Sequence, residues 1–128
     1  MKIIVTNNPM VREKFNEKAL GGPQGGIDFE LAFCDTDYLG ILHAARDKIH
    51  LGHRLLTHPL SGSVKPGETP YKTIIISKEK GPLDEQSLLI IEGSIQTCIK
   101  LMASSLNKEW GDAILADFQL IDFGLIFG

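Results

Sequence analysis

Sulfur chemistry is scarce in this chain: two cysteines, Cys34 and Cys98, stand far apart among 128 residues and form no C-x-x-C pair. That spacing excludes a dithiol redox centre and a disulfide-stapled scaffold. It reads as two buried thiols in a reducing compartment. No apolar run approaches the roughly 18 residues that a membrane-spanning helix needs. The opening Met1-Lys2-Ile3-Ile4-Val5-Thr6 enters a strand pattern at once and lacks the layout of a signal peptide. A cytoplasmic protein with no membrane association is therefore expected. Basic charge is also not in excess: 13 Lys and Arg face 16 Asp and Glu, for a net charge of −3. Nucleic-acid binding, which leaves a basic patch or stripe, has no global support. There is no G-x-S-x-G elbow, no internal repeat and no low-complexity segment. No motif names a cofactor.

What is present is ordinary for a globular protein: 43% hydrophobic and 23% charged residues. The length suits one domain, residues 1–128. Lys2 to Thr6 reads as a strand. Asn8 and Pro9 then suit the cap and first position of a helix from Pro9 to about Leu20. The glycines of residues 21–26 follow a helix and precede a strand. A phosphate loop has the reverse context, so a surface turn is expected there. Ile27 to Phe33 alternates like a half-exposed strand. Asp35 or Thr36 can cap a second helix reaching Leu51, with Gly52 as its C′ glycine. His53 to His58 reads as a third strand and Thr73 to Ile76 as a fourth. Asp84 caps a third helix, on which Leu88, Ile91, Ile95, Cys98, Met102 and Leu106 form a core stripe. The apolar tail from Asp117 to Phe127 reads as a fifth strand. The alternation predicts an α/β class: a Rossmann-like layered fold with a mostly parallel sheet of about five strands and flanking helices.

The most informative stretch is His58 to Lys72. Three prolines stiffen it, two glycines let it turn, and it carries hydroxyls, amines and an imidazole. Loops of this length without a pattern of their own are usually functional or disordered. Ligands of open α/β sheets bind outside the carboxyl ends of strands. Those ends supply Thr6-Asn7-Asn8, Cys34-Asp35 and Thr57-His58. The short link between the third and fourth strands holds no helix and so favours an antiparallel fourth strand. Tyr71 and Lys72 then start on the same edge as His58, and the loop folds back as a lid.

Ser61, Gly62, Ser63 and Lys65 suit a small anionic ligand, with backbone N–H groups near the glycine forming a concavity. Asn7, Asn8, Asp35, Tyr71 and Lys72 join them as candidate ligand-binding residues. His58 is the candidate general acid/base. The four histidines at 43, 50, 53 and 58 invite a metal reading, but their spacing points them apart, and no metal site is expected.

The segment from Gly52-His53-Arg54-Leu55-Leu56-Thr57-His58-Pro59-Leu60-Ser61-Gly62-Ser63-Val64-Lys65-Pro66 through Glu68-Thr69-Pro70-Tyr71-Lys72 resembles the GrdX family. Thr6-Asn7-Asn8-Pro9 and Ile91-Glu92-Gly93 fit as well. These proteins are encoded beside glycine reductase components in amino-acid-fermenting anaerobic bacteria. The resemblance implies an accessory or regulatory role near that selenium- and thioredoxin-dependent reduction, with glycine reductase components as partners. It carries over no catalytic residue. Three functions stay open at this level: an accessory binder of a small anion or a partner; a small transferase or hydrolase using His58; and an assembly factor acting through dimer or partner contacts of Leu120 to Phe127.

Overall fold

The computed structural model describes residues 2–19, 29–61, 65–104 and 110–127. The glycine segment 21–26 and the loop residues Gly62 and Ser63 lie outside the described residues. The elements are β1 (Lys2–Thr6), α1 (Pro9–Ala19), β2 (Phe29–Phe33), α2 (Tyr38–His50), β3 (Thr73–Ser77), α3 (Glu85–Ser104) and α4 (Asp112–Phe127).

Among the described residues the sheet has three strands in the order β2-β1-β3. β2 runs parallel to β1 with Ile4 opposite Leu31, and β3 runs antiparallel with Ile4 opposite Ile75. The class is α/β, but the expected five-stranded, mostly parallel Rossmann-like sheet is not what forms. The mixed three-stranded sheet replaces it for two physical reasons.

The first concerns His53 to His58. This segment lies along the outer edge of β3 in antiparallel sense, yet only Leu55 and Ile76 form a bridge. Leu56 and Thr57 both donate their N–H to the Ile75 carbonyl, at 2.9 and 3.3 Å. Two residues against one break the regular ladder, as in a bulge. Side chains take over where the ladder fails. Ser77 Oγ accepts from the Arg54 N–H, Ser87 Oγ from the Leu55 N–H, and Thr57 Oγ1 from the Ile75 N–H. The segment covers the edge of β3 without becoming a strand.

The second concerns the tail. Asp112 to Phe127 is a 16-residue helix, not a fifth strand. A run this long exceeds the usual strand of about 5–6 residues, and length decides between helix and strand when apolar residues occur on every side. Phe123, Ile126 and Phe127 reach the lower face of the sheet at helical spacing.

The sheet separates two apolar layers, as the period of two along a strand requires. Ile3, Val5, Ile74 and Ile76 face α2 and α3, where they meet Tyr38, Ile41, Leu42, Ala45, Ile49, Ile91, Ile95 and Cys98. Ile4 and Ile75 face α1 and α4, where Val11, Phe15, Phe29 and Phe127 pack. Cys98 is fully buried as expected, whereas Cys34 is only partly so.

The caps hold with one correction. Asn8 Oδ1 accepts from the Met10 N–H at 3.0 Å, and Asp84 Oδ2 from the Ser87 N–H at 3.2 Å. On α2 the cap is Asp37, whose Oδ1 accepts from the Gly40 N–H at 2.8 Å, not Asp35 or Thr36. Three successive oxygen-bearing side chains were equally able to cap, and the burial of Tyr38 sets the start. Gly52 follows α2 with φ +105°, a conformation that favours glycine. Among the described residues no helix is long and apolar enough to cross a membrane.

Candidate functional site

Because β3 is antiparallel, it begins where β1 ends. Thr6 stands opposite Thr73, and Asn7 reaches the chain just before β3. The Asn7 side chain serves as a clip. Its Nδ2 donates to the carbonyls of Thr36 and Pro70, both at 2.8 Å, and its Oδ1 accepts from the Lys72 N–H at 2.9 Å. One amide therefore joins the β2–α2 turn, the end of the long loop and the start of β3.

Beside it runs a buried polar chain. Thr73 Oγ1 donates to Asp122 Oδ2 at 2.6 Å, and Thr6 Oγ1 lies 2.8 Å from Thr73 Oγ1. A hydroxyl has one proton, so Thr73, already donating to the carboxylate, must accept from Thr6. Thr6 Oγ1 in turn accepts from the Asn8 N–H at 3.0 Å. Asn8 Nδ2 closes the network by donating to Asp122 Oδ2 at 3.0 Å and to the Gln119 carbonyl at 2.9 Å. The second half of α4 is thus tied to the ends of β1 and β3.

A small cleft of about 20 Å³ opens at this end of the sheet, lined by Tyr38, Ser61, Thr69, Tyr71, Lys72, Phe118, Ile121, Asp122 and Leu125. Its polar wall carries two buried charged side chains, Lys72 at 4% and Asp122 at 6% exposure. Lys72 Nζ donates to the Ser61 carbonyl at 3.1 Å and lies 5.9 Å from the centre of the Tyr38 ring. Burial pushes the Lys72 ammonium below the usual lysine range, and the attraction of Asp122 partly opposes that shift. Burial also pushes the Tyr38 hydroxyl up, so it stays protonated. It donates to the Pro59 carbonyl at 3.3 Å and holds the loop over α2. Tyr71 Oη accepts from Gln119 Nε2 at 2.9 Å.

The loop is built by local chemistry. The Glu68 N–H bonds the Lys65 carbonyl at 3.0 Å across Pro66 and Gly67, and Gly67 has φ +89°. Proline followed by glycine with positive φ is the order a type II turn uses. His58 is exposed, and its Nδ1 accepts from the Leu60 N–H at 3.1 Å, which spends one ring nitrogen on shaping the loop.

The residues expected from sequence thus divide. Ser61, Tyr71 and Lys72 line the cleft. Asn7 and Asn8 stand behind its wall with side chains committed to backbone and network partners. His58, Asp35 and Lys65 are exposed and do not line it. Tyr38, Thr69, Phe118, Ile121, Asp122 and Leu125 were not anticipated. Asp122 had a signal: an acid inside the apolar tail, four residues after Phe118, falls on a buried helical face once the tail is read as a helix.

A second, larger and more open depression of about 400 Å³ lies at the opposite end of the sheet among Gly52, Arg54, Ser77 and residues 79–84, and no buried charge lines it. His53, expected at a strand start, is buried with Nδ1 2.7 Å from the Ser77 carbonyl, so that nitrogen carries the proton. Among the described residues no group of three or more His, Cys, Asp or Glu side chains is placed to hold a metal ion.

Compared with known proteins, residues 3–128 match the family model described as GrdX-like protein. No match was found among curated proteins or among solved structures.

Proposed function

The chain belongs to the GrdX-like protein family, and from that premise we propose that it is an accessory protein of glycine reductase-type amino-acid fermentation that binds a small anion in the cleft beneath the 58–72 loop. The observation that carries this reading is Lys72. Among the described residues, a lysine with 4% exposure lines the cleft with one carbonyl bond and one ring contact, and no carboxylate in ion-pair contact. A buried ammonium is costly unless paired, and it can make three hydrogen bonds. An anion entering the cleft supplies the missing counter-charge. Ser61 and Tyr71, beside Lys72, add polar groups at the same wall.

The test is thermal unfolding with inorganic phosphate, acetate, propionate and 4-methylpentanoate, for the wild type and for Lys72→Met. A ligand at 100 times its Kd stabilises the wild type by about 2.7 kcal/mol. The variant is expected to show no shift with the same anion. A wild-type Tm unmoved by all four removes the anion-site reading.

One observation favours a second reading, contact with a partner or another copy through α4. Ile114, Leu120, Ile121 and Leu125 are 49%, 58%, 42% and 49% exposed on that helix. Light scattering of the wild type and of Leu120→Glu decides whether this surface mediates self-association. A monomeric mass for both counts against a homodimer.

A further inference from the structure

We propose, resting on the anion-site reading, that the cleft takes a small zwitterion of the amino-acid class, with its anionic group on Lys72 and its ammonium on Asp122. The two buried charges share one cleft but do not close into a contact ion pair. Each is held back by its own bonds. Lys72 Nζ is drawn to the Ser61 carbonyl. Asp122 Oδ2 is drawn to Thr73 and Asn8 on the sheet side.

What remains unspent faces the ligand. Lys72 has used one of its three donors. Asp122 Oδ1 accepts no hydrogen bond, and no buried side-chain oxygen or nitrogen among the described residues lacks a partner, so Oδ1 is open to the cleft that Asp122 lines. Tyr71 Oη accepts from Gln119 and keeps its own proton to donate. The cleft therefore offers an ammonium and a phenolic donor for an anionic group, and a carboxylate oxygen for a cation.

A simple anion satisfies Lys72 but is repelled by Asp122. A simple amine satisfies Asp122 but is repelled by Lys72. A molecule carrying both charges meets both, and water is replaced by matched partners at each end. Phe118, Ile121 and Leu125 form an apolar wall suited to an aliphatic side chain. The space itself is small, about 20 Å³, so the charged end of the ligand enters it while an aliphatic side chain lies along the partly exposed Ile121 and Leu125.

The experiment is calorimetric titration with two matched series: alanine, propionate and ethylamine; and leucine, 4-methylpentanoate and 3-methylbutylamine. Proteins are the wild type, Asp122→Asn and Lys72→Met. In at least one series the amino acid is expected to bind the wild type tenfold or more tightly than its matched acid. Asp122→Asn keeps an oxygen for Thr73 and Asn8 but puts an amide NH2 where Oδ1 stood. It is expected to bring the amino acid down to the affinity of the acid and leave the acid unweakened. Lys72→Met is expected to remove both. An acid that binds as tightly as its amino acid overturns the zwitterion inference and leaves the anion site standing. So does an amino-acid affinity unchanged in Asp122→Asn. No binding of any acid or amino acid overturns the zwitterion inference, and overturns the anion site with it when inorganic phosphate also leaves Tm unmoved. The wild-type comparison decides the matter without any variant.

Discussion

Thr73→Val removes one hydroxyl and almost no volume, and the network around it sets the size of the effect. Both Thr6 and Thr73 are fully buried. The lost bond to Asp122 Oδ2, at 2.6 Å, is charge-assisted. Bonds of that kind contribute about 1.5–3 kcal/mol. The change also leaves the Thr6 hydroxyl without its acceptor, a further cost of about 1–3 kcal/mol for an unsatisfied buried group. The added methyl returns part of this through apolar burial, so a net loss of about 3 kcal/mol is expected. Thr6→Val loses the bond to Thr73 and orphans the Asn8 N–H, for about 2 kcal/mol. The double variant should lose about 4, not 5, kcal/mol, because the Thr6 hydroxyl can no longer be stranded. Urea unfolding reads these numbers. With m near 2 kcal/mol/M, Thr73→Val lowers the midpoint by about 1.5 M at unchanged m. A midpoint within about 0.3 M of wild type would refute the argument that this chain of hydroxyls anchors α4 to the sheet.

Gly52→Ala forces a side chain into φ +105° and drives its Cβ into the Gly81 carbonyl, so a loss of about 1–3 kcal/mol or more is expected, while Gly81→Ala, with open space around it, should leave Tm nearly unchanged. Equal Tm values for the two would remove the steric account. Burial pushes the Cys98 thiol up to about 11, with Asp37 adding to the shift. Its contribution to stability is full below the ordinary thiol value of 9.0 and fades as pH rises from there towards 11. At pH 8 a disulfide reagent should modify Cys34 in the folded protein and Cys98 only on unfolding, and two thiols reacting at one rate contradict this. Lys72 has the opposite sign: its lowered value means the unfolded chain holds that proton more tightly, so stability rises as pH climbs towards 10.5. Subtracting the urea midpoints of Lys72→Met from those of the wild type across that range isolates the slope, and a flat difference argues against a perturbed lysine.

Much of the fold was legible because local chemistry agreed with tertiary packing. Asn8-Pro9 announced α1, Asp84 announced α3, and the spacing of Ile91, Ile95 and Cys98 gave the core stripe that the structure buries. The antiparallel start of β3 followed from a link too short for a crossover, and it placed Tyr71 and Lys72 at the cleft. Two errors share one cause. Apolar content was read as strand without asking where backbone bonds would go. In His53 to His58 the N–H groups of Arg54 and Leu55 go to the side chains of Ser77 and Ser87, those of Leu56 and Thr57 share the Ile75 carbonyl, and Thr57 Oγ1 takes the Ile75 N–H. In the tail they go up the helix. Asp122 was lost with the tail, since an acid in a supposed strand has no buried face to occupy. His58 drew attention as the loop's one imidazole, but the first ring nitrogen to find a partner took a backbone N–H two residues away.

Asp122 links the two halves of the functional argument. One oxygen holds α4 against Thr73 and Asn8, and the other is open to the cleft. A carboxylate buried only for stability gains little over an apolar group of the same volume, because desolvation offsets most of its bonds. Valines at 6 and 73 with a leucine at 122 could join the same elements by packing alone. What the apolar version lacks is a negative charge in the same cleft as Lys72. The network then has a second role. It fixes the carboxylate so that its free oxygen cannot swing to Lys72 and collapse the cleft into an ion pair. On this reasoning the stability lost in Thr73→Val and the selectivity lost in Asp122→Asn are separable. The former frees the carboxylate to seek the lysine, and should weaken amino acid and matched acid alike. The latter keeps the geometry and cancels one charge, and should weaken the amino acid alone.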